Sequence, residues 1–96
     1  MAAALVVKHR VADFEAWKVV FDSMQSLRLQ HGWLGHTILR DAADPNVVTV
    51  VNRVSSLEGA KAYGSSPDLR AAMQKAGVQG PPDISFCDEQ EMRVYG

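Results

Sequence analysis

Between Ala3 and Met92 the chain runs strand, helix, strand, strand, helix, strand, and its strand segments are apolar at both odd and even positions. Successive side chains of a strand point to opposite faces, so a strand that is apolar throughout needs cover on both. Two helical segments can roof only one face of a four-stranded sheet. The open face calls for a second chain or a ligand, and the pattern predicts a small domain that associates through it.

The 96 residues are 47% hydrophobic and 22% charged, which fits one globular domain spanning 1–96. A chain this short buries only about 60 to 70% of its unfolded surface, so sharing a second core with a partner adds stability. Ten Lys and Arg face eleven Asp and Glu, a formal net charge of −1. That balance gives no footprint for phosphate backbones or anionic lipids, and neither nucleic acid nor membrane is an expected partner. The opening Met1-Ala2-Ala3-Ala4-Leu5-Val6-Val7 lacks a basic leader and meets Lys8 early, so it reads as a strand of a cytoplasmic protein. Cys87 is the one cysteine and reads as a small buried hydrophobe on the last strand.

Ala3 to Arg10 is a β-branched strand, and Asp13 caps a helix expected from Phe14 to His31. Phe14, Trp17, Phe21, Met24 and Leu27 recur at intervals of three and four, giving one apolar stripe that ends before Gly32. Leu34 to Arg40 and Asn46 to Val54 flank the turn-forming Asp41-Ala42-Ala43-Asp44-Pro45 and predict a hairpin. With Arg40 opposite Val47, Thr37, Leu39, Val48, Val50 and Val54 lie under the helices. His36, Ile38, Arg40, Val47, Thr49, Val51 and Arg53 then share the open face. The spacing Ser55 to Glu58 suggests a capping box opening a short helix to Tyr63. Ser66-Pro67 opens another that closes at Gly77, and Ile84 to Met92 is the last strand, buried from Ile84 to Cys87. This order gives an α+β, ferredoxin-like βαββαβ sandwich with a four-stranded antiparallel sheet.

In that topology His9 ends the first strand and His36 begins the second, on the order of 15 Å apart at ~3.3 Å per residue. No metal site is expected from the three histidines, and no Cys and His spacing resembles a zinc site. His31 suits a helix C-terminus. His36, on the expected open face, is the preferred base, and His9, level with Leu5 and Val7, is the alternative. Trp33, Tyr63 and Phe86 are the aromatic candidates for a pocket wall, with Trp33 also placed as a lid on the core edge. The serines sit at helix starts without a nucleophile elbow, and Gly77-Val78-Gln79-Gly80 lacks the Lys and helix of a phosphate loop.

The stretches Val7-Lys8-His9-Arg10-Val11-Ala12-Asp13-Phe14-Glu15-Ala16-Trp17 and Ser66-Pro67-Asp68-Leu69-Arg70-Ala71-Ala72-Met73-Gln74-Lys75-Ala76-Gly77-Val78 resemble small bacterial members of the dimeric α+β barrel superfamily, the group that contains the antibiotic-biosynthesis monooxygenases. The likeness spans nearly the whole chain and is one of layout. It implies a homodimer with facing sheets, a pocket for a hydrophobic small molecule, and oxygenation of aromatic polyketides without metal or flavin. The haem-degrading branch carries Asn, Trp and His; here the first strand offers His9, and the helices after Ser55 contain neither Trp nor His. Two functional readings follow. One is a cofactor-independent monooxygenase or cyclase on an aromatic or polyketide-like molecule, with His36 or His9 as base and Arg53, Asn52 or Thr49 as donor to a developing oxyanion. The other is a non-catalytic binding or regulatory module. RNA recognition, which shares the strand order, lacks its stacking aromatics on the first and third strands.

Overall fold

A computed structural model describes residues 2–96 and contains β1 (Ala3–Val11), α1 (Phe14–Ser23), α2 (Gln25–Gln30), β2 (Trp33–Arg40), β3 (Val47–Val54), α3 (Leu57–Gly64), α4 (Pro67–Lys75) and β4 (Val78–Asp88). The strands form one sheet in the order β2-β3-β1-β4, with antiparallel neighbours and the helices on one face. This is the ferredoxin-like α+β sandwich that the element order predicts.

Local chemistry sets the element ends. Asp13 accepts the Glu15 N–H at the start of α1, and Ser66 accepts the Asp68 N–H ahead of Pro67 at the start of α4. At α3 the cap is Ser56, which accepts from Gly59 N at 3.1 Å, so the Ser55 to Glu58 capping box is not the one used. The helix expected from Phe14 to His31 is two helices that meet at Met24. The Ser23 hydroxyl donates to the Val20 carbonyl at 2.6 Å, and Arg28 Nη1 donates to the Phe21 carbonyl at 2.8 Å. Side chains thus engage carbonyls at the end of α1, and Met24 N bonds three residues back to Phe21, which tightens the turn.

The hairpin register differs by one from the expected pairing: Arg40 faces Val48, Ile38 faces Val50 and His36 faces Asn52. Between Trp33, opposite Val54, and Gly35, opposite Arg53, the ladder shifts. This bulge reverses the parity of the rest of β2. His36, Ile38 and Arg40 therefore lie on the helix side, and Thr37 and Leu39 on the open side. The faces assigned to β3 stand: Val48, Val50 and Val54 are buried beneath the helices, and Val47, Thr49, Val51 and Arg53 face the open side.

β4 begins six residues earlier than expected and ends at Asp88 instead of Met92. Pro81 and Pro82 are accommodated because β4 is an edge strand, where an irregularity opposite Lys8 to Arg10 accompanies Gly80 at φ +74°. Ile84 to Cys87 were expected to be buried, yet all are exposed, since β4 is an edge strand with a neighbour on one side only. The core is split accordingly. One cluster joins Ala3, Leu5, Trp33, Val54, Ala60 and Tyr63; the other joins Val11, Trp17, Val48, Val50 and Ala76. No helix among the described residues is long and apolar enough to cross a membrane.

Candidate functional site

Between the sheet and the helices, with members of both core clusters in its wall, lies a cavity of about 400 Å³. That is within the usual span of small-molecule pockets, roughly 300 to 1,000 Å³. Its floor is the helix side of β1 and β3, through Leu5, Val7, His9, Val50 and Asn52. Trp17, Phe21 and Met24 form one wall, so the stripe expected to pack α1 on the sheet also bounds an opening. Leu69 and Met73 of α4 close the opposite side, and Ile84 and Phe86 of β4 border it at the sheet edge.

His9 is 9% exposed, and neither ring nitrogen has a hydrogen-bond partner. Its ring centroid lies 5.7 Å from that of Trp17, which in turn stacks on Phe21 at 5.0 Å. Burial among these rings lowers the His9 pKa below 6.5, because the imidazolium form is poorly solvated there. The side chain is thus a neutral imidazole at pH 7, with a lone pair on one nitrogen.

Asn52, 4% exposed, is held at both ends of its carboxamide. Its Oδ1 accepts the Trp33 indole N–H at 2.8 Å, and its Nδ2 donates to the Leu5 carbonyl at 2.9 Å. An indole N–H can only donate, so the amide orientation is fixed and one Nδ2 proton is left over. Trp33 continues into Tyr63, whose ring centroid is 4.6 Å away, and Tyr63 meets His31 at 5.6 Å. Burial raises the Tyr63 pKa above 10, against a smaller opposing pull from Arg28.

The residues singled out from the sequence divide into two sets. His9, Asn52, Trp33, Tyr63 and Phe86 all line the cavity. Thr49 and Arg53 do not: they stand on the open side, where Arg53 Nε pairs with Glu89 at 2.8 Å. His36, expected on the open face, packs edge-on against Phe21 at 4.9 Å on the helix side and is exposed. It borders a separate hollow with Gln25, Leu29 and Gly35. Its pKa is lowered by burial first, then by the charges of Arg28 and Lys18. Among the described residues no three His, Cys, Asp or Glu side chains gather as a metal site.

Sequence reasoning missed Arg28. It is 3% exposed, lines the cavity, and sets its guanidinium carbon 3.8 Å from the centre of the Phe21 ring. The signal was its spacing: Arg28 follows Phe21 and Met24 by seven and four residues, so the apolar stripe carries a charge where a hydrophobe would otherwise continue.

No family model and no curated protein matches the sequence. Solved structures do match the fold. A protein from Caulobacter crescentus assigned to the antibiotic biosynthesis monooxygenases is 21% identical, with 94% of this chain and 91% of that one covered at a TM-score of 0.74. A similarly assigned protein from Chloroflexus aurantiacus is 18% identical over 100% of both chains, at 0.73. SnoaB, a cofactor-independent oxygenase from Streptomyces nogalater, is 12% identical with 95% of each chain covered, at 0.75. The chain therefore has the ferredoxin-like α+β fold of the antibiotic-biosynthesis-monooxygenase-like proteins.

Proposed function

We propose that this protein is a cofactor-independent enzyme, of monooxygenase or cyclase type, acting on a hydrophobic aromatic or polyketide-like molecule in the cavity, with His9 as the base. The observation that carries this reading is His9 itself: a buried, neutral imidazole without partners, on the floor of an aromatic-lined pocket. Leaving a buried polar group unsatisfied costs about 1 to 3 kcal/mol, and a polar ligand atom bound at His9 would remove that cost.

In the oxygenase reaction His9 takes a proton from an acidic C–H next to an aryl ketone or phenol. The resulting carbanion gives one electron to dioxygen, and the two radicals combine to a peroxide anion, which takes the proton back from His9 to become a hydroperoxide. Loss of water then leaves a new carbonyl, so a CH₂ group and O₂ become C=O and H₂O. Asn52, on the cavity floor with a spare Nδ2 proton, then stabilises the enolate oxygen that develops as the proton leaves. Trp17, Phe21, Trp33 and Tyr63 supply a dry, flat-walled enclosure that favours charge dispersed over a ring system. With a carbonyl in reach on the same substrate, the same carbanion would close a ring instead.

The enzyme works as a homodimer joined through the open sheet face. Leu39 and Val51 lie uncovered there, 49% and 37% exposed, beside the half-buried Val6. Oxygen uptake with anthrone, a three-ring ketone whose methylene between two aryl rings is acidic, tests the catalytic reading. Protein-dependent uptake with conversion to anthraquinone supports it; saturable anthrone binding without uptake would instead assign the chain as a binding module.

A further inference from the structure

Among the described residues Arg28 is the one buried cation of the cavity, and no carboxylate pairs with it. The ion pairs among the described residues join Arg10 to Asp44, Lys18 to Asp22, Arg53 to Glu89 and Arg93 to Glu91, and none includes Arg28. Its Nη1 donates to the Phe21 carbonyl and its guanidinium draws on the Tyr63 oxygen, which leaves several of its five N–H donors for a ligand. Buried charges are otherwise paired, because an uncompensated one is expensive.

The surroundings carry the same sign. The cavity wall contains Arg28 and, at its exposed rim, Arg70, but no Asp or Glu, although the chain as a whole is slightly acidic. The Tyr63 phenol, un-ionised through burial, lies beside the Arg28 guanidinium and adds an O–H donor. Phe21 and Trp17 run from this donor pair toward His9 as a stacked aromatic wall.

We propose that Arg28, together with the Tyr63 hydroxyl, is the specificity anchor of the cavity, and that the ligand it selects is a flat aromatic molecule carrying an anionic oxygen. This rests on the small-molecule reading of the same cavity. The anion sits against the guanidinium and the phenol, the ring system lies along Phe21 and Trp17, and the far end meets His9. A carboxylate takes the guanidinium in two parallel hydrogen bonds; a phenolate or enolate takes it in one.

The test uses 2-naphthoate, its methyl ester and 2-naphthol, with binding followed through the fluorescence of Trp17 and Trp33, which both line the cavity and are the only tryptophans. The acid is expected to bind the wild type about 10- to 100-fold tighter than the ester, the range of a charge-assisted hydrogen bond. Arg28→Met should abolish that preference and leave ester binding unchanged. If phenolates are the preferred anion, 2-naphthol should ionise at lower pH when bound to the wild type, and not with Arg28→Met. Tyr63→Phe keeps the ring and the α1–α2 junction intact, and should weaken 2-naphthoate severalfold without affecting the ester, so the inference stays testable if Arg28→Met does not fold. Equal binding of acid and ester with no shift in naphthol ionisation would overturn the anchor while leaving the pocket. Equal weakening of acid and ester by Arg28→Met and by Tyr63→Phe would overturn it too. Failure of all three probes to bind the wild type would overturn the pocket as well.

Discussion

The Trp33 indole donates to Asn52 Oδ1 at 2.8 Å, and the other end of the same carboxamide holds the Leu5 carbonyl, so one side chain ties β2, β3 and β1 together under the cavity. Asn52→Leu fills a similar volume but strands the indole N–H and disturbs the carbonyl. It is expected to cost about 1 to 3 kcal/mol, the penalty for an unsatisfied buried polar group. Urea denaturation monitored by circular dichroism measures this, and a variant as stable as the wild type would show that the amide bridge contributes nothing.

The fold was legible because its signals are local. The β-branched first strand, Asp13, the Ser66-Pro67 pair and the positive-φ glycines Gly32 and Gly77 act within a few residues, and each ends or starts an element where expected. The faces of β2 were not legible. Both of its alternating sets, Thr37 with Leu39 and His36 with Ile38, mix polar with apolar residues, so hydrophobicity could not choose between them. The choice lies in the bulge at Leu34 and Gly35 and in the loop, where Asp41 Oδ2 accepts from both Ala43 N and Asp44 N. Trp33, expected as an aromatic wall or lid, and Asn52, expected as a donor, both border the cavity. Arg28 was hidden because a charged residue on a helix is ordinarily solvated, and only packing against Phe21 shows otherwise.

At Gly59, α3 touches the end of α2. A Cβ there would lie 2.4 Å from the His31 carbonyl oxygen, a backbone atom that cannot swing aside. Gly59→Ala should destabilise the protein by about 1 to 3 kcal/mol, as overpacking does, despite alanine's better helix propensity. A thermal melt that is unchanged or raised would refute the close approach of α3 to the end of α2.

Stability should depend on pH through His9. Its pKa is lowered in the folded state, so below pH 6.5 the unfolded chain binds more protons than the folded one. Stability is therefore fullest above about pH 6.5 and declines as pH falls toward the lowered folded value. His36, lowered by burial and by Arg28 and Lys18, acts with the same sign. His9→Phe should flatten part of this decline in denaturation curves collected from pH 7.5 to 5, about the range where histidines titrate. A variant that loses stability on acidification as steeply as the wild type would exclude His9 as a source.

Association should respond to the open face. Val51→Asp places a charge where the proposed interface is apolar, and burying it unpaired would cost several kcal/mol, roughly the scale on which marginal dimers dissociate. Light scattering is expected to give the mass of two chains for the wild type and of one for the variant. A wild type that is monomeric at micromolar concentration would contradict association through this face.

The central claim is that His9 removes the proton that starts the chemistry, and the most direct measurement is the rate of oxygen uptake with anthrone by His9→Gln and His36→Gln beside the wild type. His9→Gln is expected to be slower by about 10² to 10⁴, the usual contribution of one acid–base group, while His36→Gln keeps its rate within a fewfold. The wild-type rate should fall on acidification with an apparent pKa below 6.5. Full activity in His9→Gln, or no uptake by the wild type, would contradict the account.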